Sequence, residues 1–140
     1  EELGLLGAST AAFGIDPHAG IAVDVTFASD DPGGMPKKTS NIKLGGGPVV
    51  GVGPAYDHKL NKMLFSAAEE AKIDIQIQPR NRGNGTDAFA IRQTRAGVPV
   101  AQISIPLRYM HSAVEVISLE DLDNCSQLIA DTIAMMPEEL

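Results

Sequence analysis

A chain of 140 residues is the size of one domain. Hydrophobic residues make up 44% and charged residues 21%, enough apolar material for a core, which excludes a disordered polyelectrolyte. The formal charge of −7, with aromatics at 4% and no Trp, argues against nucleic acid or an anionic membrane as partner, since both select a basic surface.

Cys125 is the single cysteine and cannot close an internal disulfide, which fits a reducing compartment. No apolar run approaches the ~20 residues of a membrane span. The acidic Glu1-Glu2 start is unlike a signal peptide, so a cytoplasmic protein is expected. The chain opens on Glu1 without Met, so a preceding segment is also expected.

Leu3 to Phe13 is a small-residue segment whose Ala content predicts a helix against the pull of Gly4 and Gly7. Gly14 to His18 carries turn chemistry around Pro17. Ile21 to Ala28 is a strand, apolar on both faces except at Asp24. Ser29 to Ser40 is a polar loop, read as mobile or functional. Leu44 to Gly53 is a Gly-rich turn running into a short strand. Asp57 to Ala71 is an amphipathic helix with Leu60, Leu64 and Ala68 four apart.

Ile73, Ile75 and Ile77 alternate with polar residues and predict a strand with one wetter face. Arg80 to Asn84 reads as a loop, and Asp87 to Thr94 as a short helix capped by Thr86. Val98 to Pro106 is a buried strand and Val114 to Ile117 a shorter one. Ser118-Leu119-Glu120-Asp121 resembles a capping box opening a final helix that ends near Pro137. Its apolar stripe includes Cys125, which reads as core. Strands alternating with helices predict a three-layer αβα domain, a mixed sheet with helices on both faces.

Few residues stand out chemically. Asp24 lies mid-strand, where a charge is costly unless it caps backbone amides, meets water at an edge or binds a metal. His111 lies where one strand ends and the next begins, the place where α/β sheets bind ligands, although a lone His is also commonly structural. His18 and His58 sit in a turn and a helix start. Glu1 and Glu2 are either solvated or divide labour as general base and metal ligand. Gly45-Gly46-Gly47 lacks the phosphate-loop pattern and reads as a turn, and no GxSxG, HExxH or CxxC occurs.

Taken in order, several segments resemble one family. They are Glu1-Glu2-Leu3-Gly4-Leu5-Leu6-Gly7-Ala8, Ala22-Val23-Asp24-Val25-Thr26, Lys43-Leu44-Gly45-Gly46-Gly47-Pro48, Gly85-Thr86-Asp87-Ala88 and Ile105-Pro106-Leu107-Arg108-Tyr109-Met110-His111-Ser112, with Glu115 following. The sequence resembles the M42 metallo-aminopeptidases along essentially its whole length. The resemblance implies a zinc-peptidase-like fold, an exopeptidase acting on short peptides, and two divalent ions, zinc or cobalt. It implies Glu1 as general base, Glu2 and His111 as ligands of one metal, and Asp24 as ligand of the other. Asp87, Arg108 and Tyr109 would line or support the site.

Members of that family are more than twice as long. Their first metal-binding His, their bridging Asp and an inserted oligomer-building domain lie upstream of the Glu-Glu pair. The chain is therefore expected to be a single domain, residues 1–140, forming the C-terminal part of the catalytic domain and truncated at the N-terminus. Alone it is expected to bind metal weakly or not at all, to be inactive, and to self-associate through uncovered surface. The full-length enzyme would be a homo-oligomer. Two alternatives are a non-catalytic remnant that keeps the fold and a glycoside hydrolase. The second is disfavoured because Glu1 and Glu2 are sequence neighbours, whereas a glycosidase needs carboxylates flanking its bond.

Overall fold

The computed structural model describes residues 1–31, 40–80 and 85–137. The elements in chain order are α1 (Leu6–Ile15), β1 (Gly20–Phe27), β2 (Val49–Val52), α2 (His58–Ala71), β3 (Gln76–Pro79), α3 (Asp87–Arg92), β4 (Val100–Arg108), β5 (Val116–Ile117) and α4 (Leu119–Ala134). The sheet order is β1-β4-β2-β3, with β5 pairing the far end of β4. β1 runs parallel to β4, from Gly20 opposite Val100 to Phe27 opposite Leu107. β2 is antiparallel to β4 and parallel to β3. The predicted mixed sheet is thus present.

Strand alternation divides the two faces. Ala101 and Ile103 of β4, with Val50 of β2, pack against Leu60, Leu64, Ala67 and Ala68 of α2 and Cys125 and Leu128 of α4. On the other face Ala22 and Val100 pack against Ala88 of α3, and α1 lies against α3. Helices therefore cover both faces, as the near-continuous burial of β4 requires. Burial pushes the Cys125 thiol up to about 12, with Asp121 adding to the rise, so the thiol stays protonated and inert at neutral pH.

Local chemistry explains the element boundaries. Asp57 caps α2 by accepting from the Lys59 and Leu60 N–H groups at 2.8 and 3.0 Å. Lys72 closes it in a left-handed conformation. The isoleucine alternation misplaces β3: Ile73 and Ile75 pack onto the core ahead of the strand, while Ile77 within it is 53% exposed. Thr86 does occupy the N-cap of α3, yet its side chain makes no cap bond there. Its hydroxyl lies 3.4 Å from the buried Gln102 instead.

Ser118 caps α4 by accepting from Asp121 N–H at 3.4 Å. The reciprocal half of the capping box is absent. Asp121, 1% exposed, turns its carboxylate to the Gly-rich turn and accepts from Gly45 N–H at 2.7 Å and Gly47 N–H at 2.8 Å. That turn is an anion-binding nest of backbone amides, and the anion is a side chain of the same fold.

Residues 32–39 of the polar loop and 81–84 of the second loop lie outside the described residues. Among the described elements β1 stands at a sheet edge with Val23 and Phe27 half-exposed, and α1 leaves Leu6, Phe13 and Ile15 outside. Arg95 holds α1 in place by donating from Nε to the Phe13 carbonyl at 2.9 Å, pairing with Asp16 at 3.2 Å and stacking on the Phe13 ring.

Candidate active site

β1 and β4 are parallel, so Asp24 to Phe27 and the turn that follows Arg108 meet at the same end of the sheet. A cleft of about 500 Å³ opens there, lined by Glu1, Glu2, Asp24 and His111 together with Thr26 and Arg80 among others. Ligands of open α/β sheets bind beyond the carboxyl ends of strands, and this cleft has that position.

His111 is aimed by its backbone. Tyr109 and His111 both have positive φ, 61° and 62°, in a turn closed by Ser112 N–H donating to the Tyr109 carbonyl at 3.1 Å. Left-handed non-glycine residues are costly and concentrate at functional turns. Glu115 secures this one by accepting from His111 N–H at 2.7 Å. The ring then meets the chain start across 109 positions: His111 Nε2 lies 3.1 Å from Glu2 Oε1. Both side chains are largely exposed, so their pairing in water contributes little to stability.

Asp24 is half-buried and accepts from the Val25 N–H at 2.7 Å, which is amide capping of its own strand. Partial burial raises the Glu1 carboxyl above its ordinary value, and the neighbouring Asp24, Glu2 and Asp87 carboxylates add to the rise. These acids therefore share one electrostatic neighbourhood. Asp87 Oδ1 is buried and has no hydrogen-bond partner among the described residues, which places a carboxylate oxygen without a described partner beside the cleft.

The remaining candidates do not reach the cleft lining. Arg108 grips Asp30 through Nε–Oδ1 at 3.0 Å and Nη2–Oδ2 at 2.8 Å. Tyr109 projects outward at 46% exposure. The Arg108 guanidinium holds the Asp30 carboxyl below the usual carboxylate range, and Leu44 N–H donates to the same acid at 3.2 Å. Arg108 thereby braces the Gly-rich turn. Arg108→Leu is expected to destabilise the fold modestly in urea titrations at neutral pH. Because the folded pKa is depressed, that difference is present above the ordinary Asp value and fades as pH falls through the folded one.

The donor set is suited to a divalent ion. Two ligands of a tetrahedral zinc with bonds of about 2.0–2.2 Å stand roughly 3.3–3.6 Å apart, a few tenths of an ångström more than the 3.1 Å between His111 Nε2 and Glu2 Oε1. The clustered acids and the Asp87 oxygen supply the negative charge such an ion would neutralise. Among the described residues no three His, Cys, Asp or Glu side chains converge on one ion position. The residues thus fit part of a ligand set, a two-donor pair with Asp24 apart from it.

Several cleft residues carried no readable pattern in the sequence. Thr26 looked like an ordinary strand residue, and Arg80 a loop residue. Gln102 and Ser104 read as part of an apolar strand. They form a buried polar seam, with Gln102 Nε2 donating to Ser104 Oγ at 3.2 Å and Tyr56 OH donating to Gln102 Oε1. Polar residues alternating within a strongly buried strand were the available sign.

An open mixed α/β sheet with an acidic, histidine-bearing cleft at its strand ends is the architecture of an α/β enzyme domain. The chain belongs to the M42 peptidase family: the model described as M42 glutamyl aminopeptidase matches residues 1–128. The lysyl aminopeptidase of Pyrococcus furiosus is 45% identical over 130 residues, covering 91% of this chain and 36% of that protein. The TET aminopeptidase from the marine sediment archaeon Thaumarchaeota archaeon SCGC AB-539-E09 superposes with a TM-score of 0.89 at 33% identity, covering 99% of this chain and 39% of that one. The Pyrococcus horikoshii TET1 peptidase, which assembles into a tetrahedron or a large octahedral shell, gives 0.76 at 31% identity, covering 98% of this chain and 39% of it. The chain thus spans less than two fifths of the length of each of these proteins. Among the described residues no helix is long and apolar enough to cross a membrane.

Proposed function

We propose that this chain supplies part of the active site of a metal-dependent aminopeptidase that removes N-terminal residues from short peptides. The observation that carries the reading is the meeting of Glu2 and His111 at 3.1 Å in a cleft also lined by Glu1 and Asp24. Glu2 and His111 would hold one zinc or cobalt ion, and Asp24 would serve a second. Such ions lower the pKa of bound water and polarise a carbonyl. Glu1, kept basic by the acids around it, takes a proton from the attacking water and hands it to the leaving amine.

Zinc sites hold three or four protein ligands, so the two-donor pair would be completed by residues beyond these 140. The same segments would cover β1 and the bare face of α1. On this reading the domain is the C-terminal part of an M42 catalytic domain. The assemblies named for the TET relatives support a homo-oligomer for the complete enzyme, and the exposed Val23, Phe27 and Ile15 support self-association of the chain alone.

The test is hydrolysis of aminoacyl-p-nitroanilides by this chain, and by a polypeptide carrying it with the upstream sequence of a relative, each with and without added zinc or cobalt. Metal-dependent release by the longer polypeptide is the expected result. A longer polypeptide that folds, binds metal and cleaves none of the panel overturns the reading.

A further inference from the structure

His111 stands on an exposed loop, so packing does not aim its ring. Its side chain is 68% exposed, and that of Glu2, which it meets, 76%. Residues 111–117 are all exposed. Metal-binding histidines are commonly oriented by a hydrogen bond to the second ring nitrogen. His111 Nδ1 has no such bond among the described residues, where Nε2 faces Glu2. The main chain is the handle that remains. The turn closed by Ser112 N–H and the Tyr109 carbonyl puts His111 at its third position, with φ 62°. That conformation ordinarily selects Gly or Asn, so a His held there is strained and needs an opposing bond.

The sheet anchors both ends of this loop. Val116 of β5 lies opposite Arg108 of β4, and Ile117 opposite Leu107. Glu115 directly precedes that pairing, and its carboxylate reaches back to accept from His111 N–H at 2.7 Å. A carboxylate accepting from an amide makes a charge-assisted bond, roughly twice as strong as a neutral one. The other side-chain bond within the loop, Val114 N–H donating to Ser112 Oγ, is longer at 3.3 Å. Glu115 joins none of the ion pairs among the described residues, so the His111 amide is the partner the structure gives it.

We infer that Glu115 is a positioning residue. By fixing the left-handed backbone of His111, its carboxylate directs the Cα–Cβ bond so that the imidazole stays at Glu2, and it thereby sets the affinity of that pair for a divalent ion. The inference rests on the peptidase reading above and deepens it by naming what aims the ligand.

The first experiment is NMR of the metal-free chain and of its Glu115→Ala and Glu115→Gln variants. The unaltered chain is expected to show nuclear Overhauser contacts between the His111 ring and the Glu2 methylenes, and a His111 amide proton shifted downfield. Glu115→Ala is expected to lose both, with the rest of the backbone spectrum intact because the loop is exposed. Glu115→Gln keeps an amide oxygen that accepts the same bond and is expected to keep the contacts. In the longer polypeptide, titrated with cobalt and followed by its absorption, Glu115→Ala is expected to weaken metal binding about tenfold.

A Glu115→Ala chain that keeps the His111–Glu2 contacts overturns the inference. So does a Glu115→Gln chain as impaired as Glu115→Ala, since charge beside the ion would then matter and the bond to His111 would not. Loss of the contacts in Glu115→Ala and their retention in Glu115→Gln, with no hydrolysis by the longer polypeptide, would sink the peptidase reading and leave this one standing. Metal-dependent hydrolysis whose rate and metal affinity are untouched by Glu115→Ala would do the reverse.

Discussion

Gly47→Ala is expected to cost about 3 kcal/mol or more of folding stability. Gly47 sits at φ 86°, in the left-handed region, where a side chain is strained. A Cβ there would also collide with the backbone carbonyl of Asp74, which leads into β3 and cannot swing aside as a side chain would. The same residue donates its N–H to the buried Asp121 carboxylate.

Asp121→Ala is expected to follow closely, at about 2–4 kcal/mol, because it strands the Gly45 and Gly47 N–H groups. Urea unfolding monitored by circular dichroism checks both, and a thermal midpoint about 10 °C lower corresponds to the larger loss. A Gly47→Ala protein with an unchanged midpoint would mean that the turn and the start of β3 are not locked together as described.

The second large effect concerns chemistry. In an active polypeptide carrying this chain, Glu1→Gln is expected to lower kcat about 10²- to 10⁴-fold with KM and metal content nearly unchanged, the pattern of a lost general base. His111→Ala is expected to act differently. It removes one of the two donors that meet at 3.1 Å, so metal affinity falls about 10-fold or more and excess metal partly restores the rate.

Metal analysis beside steady-state kinetics separates the two. In the metal-free chain, NMR titration should place the Glu1 midpoint above the ordinary Glu value, because burial and the acids of Asp24, Glu2 and Asp87 disfavour its charged form. A divalent ion bound in the cleft should pull that midpoint back down. Equal metal content and equal rate loss in Glu1→Gln and His111→Ala would contradict the division of roles.

The primary sequence determined the elements whose patterns are local. The leucine spacing from Leu60 to Leu64 and the Asp57 cap define α2, and the mostly apolar run from Val98 foretells a strand covered on both faces. Ordered motifs from Glu1 to Ser112 were enough to indicate the family, because each is contiguous. Boundaries slipped where long-range packing competed with periodicity. Ile73 and Ile75 serve the core ahead of the strand they seemed to form, and Thr86 bonds to Gln102 in place of its own helix.

Only the tertiary structure decided the pairings of distant residues. It turned Asp121 from half a capping box into the anion inside the Gly45–Gly47 nest, 76 positions away at Gly45. It took Arg108 out of the cleft lining to brace Asp30, and it brought Arg80 and its near neighbour Gln78 against Thr26 from a distant strand. It also brought Glu2 to His111. Helix and strand patterns are written by neighbours a few residues apart, and a sequence records those directly. A carboxylate's partner is set by where the sheet brings two remote segments together, and that depends on packing the whole chain.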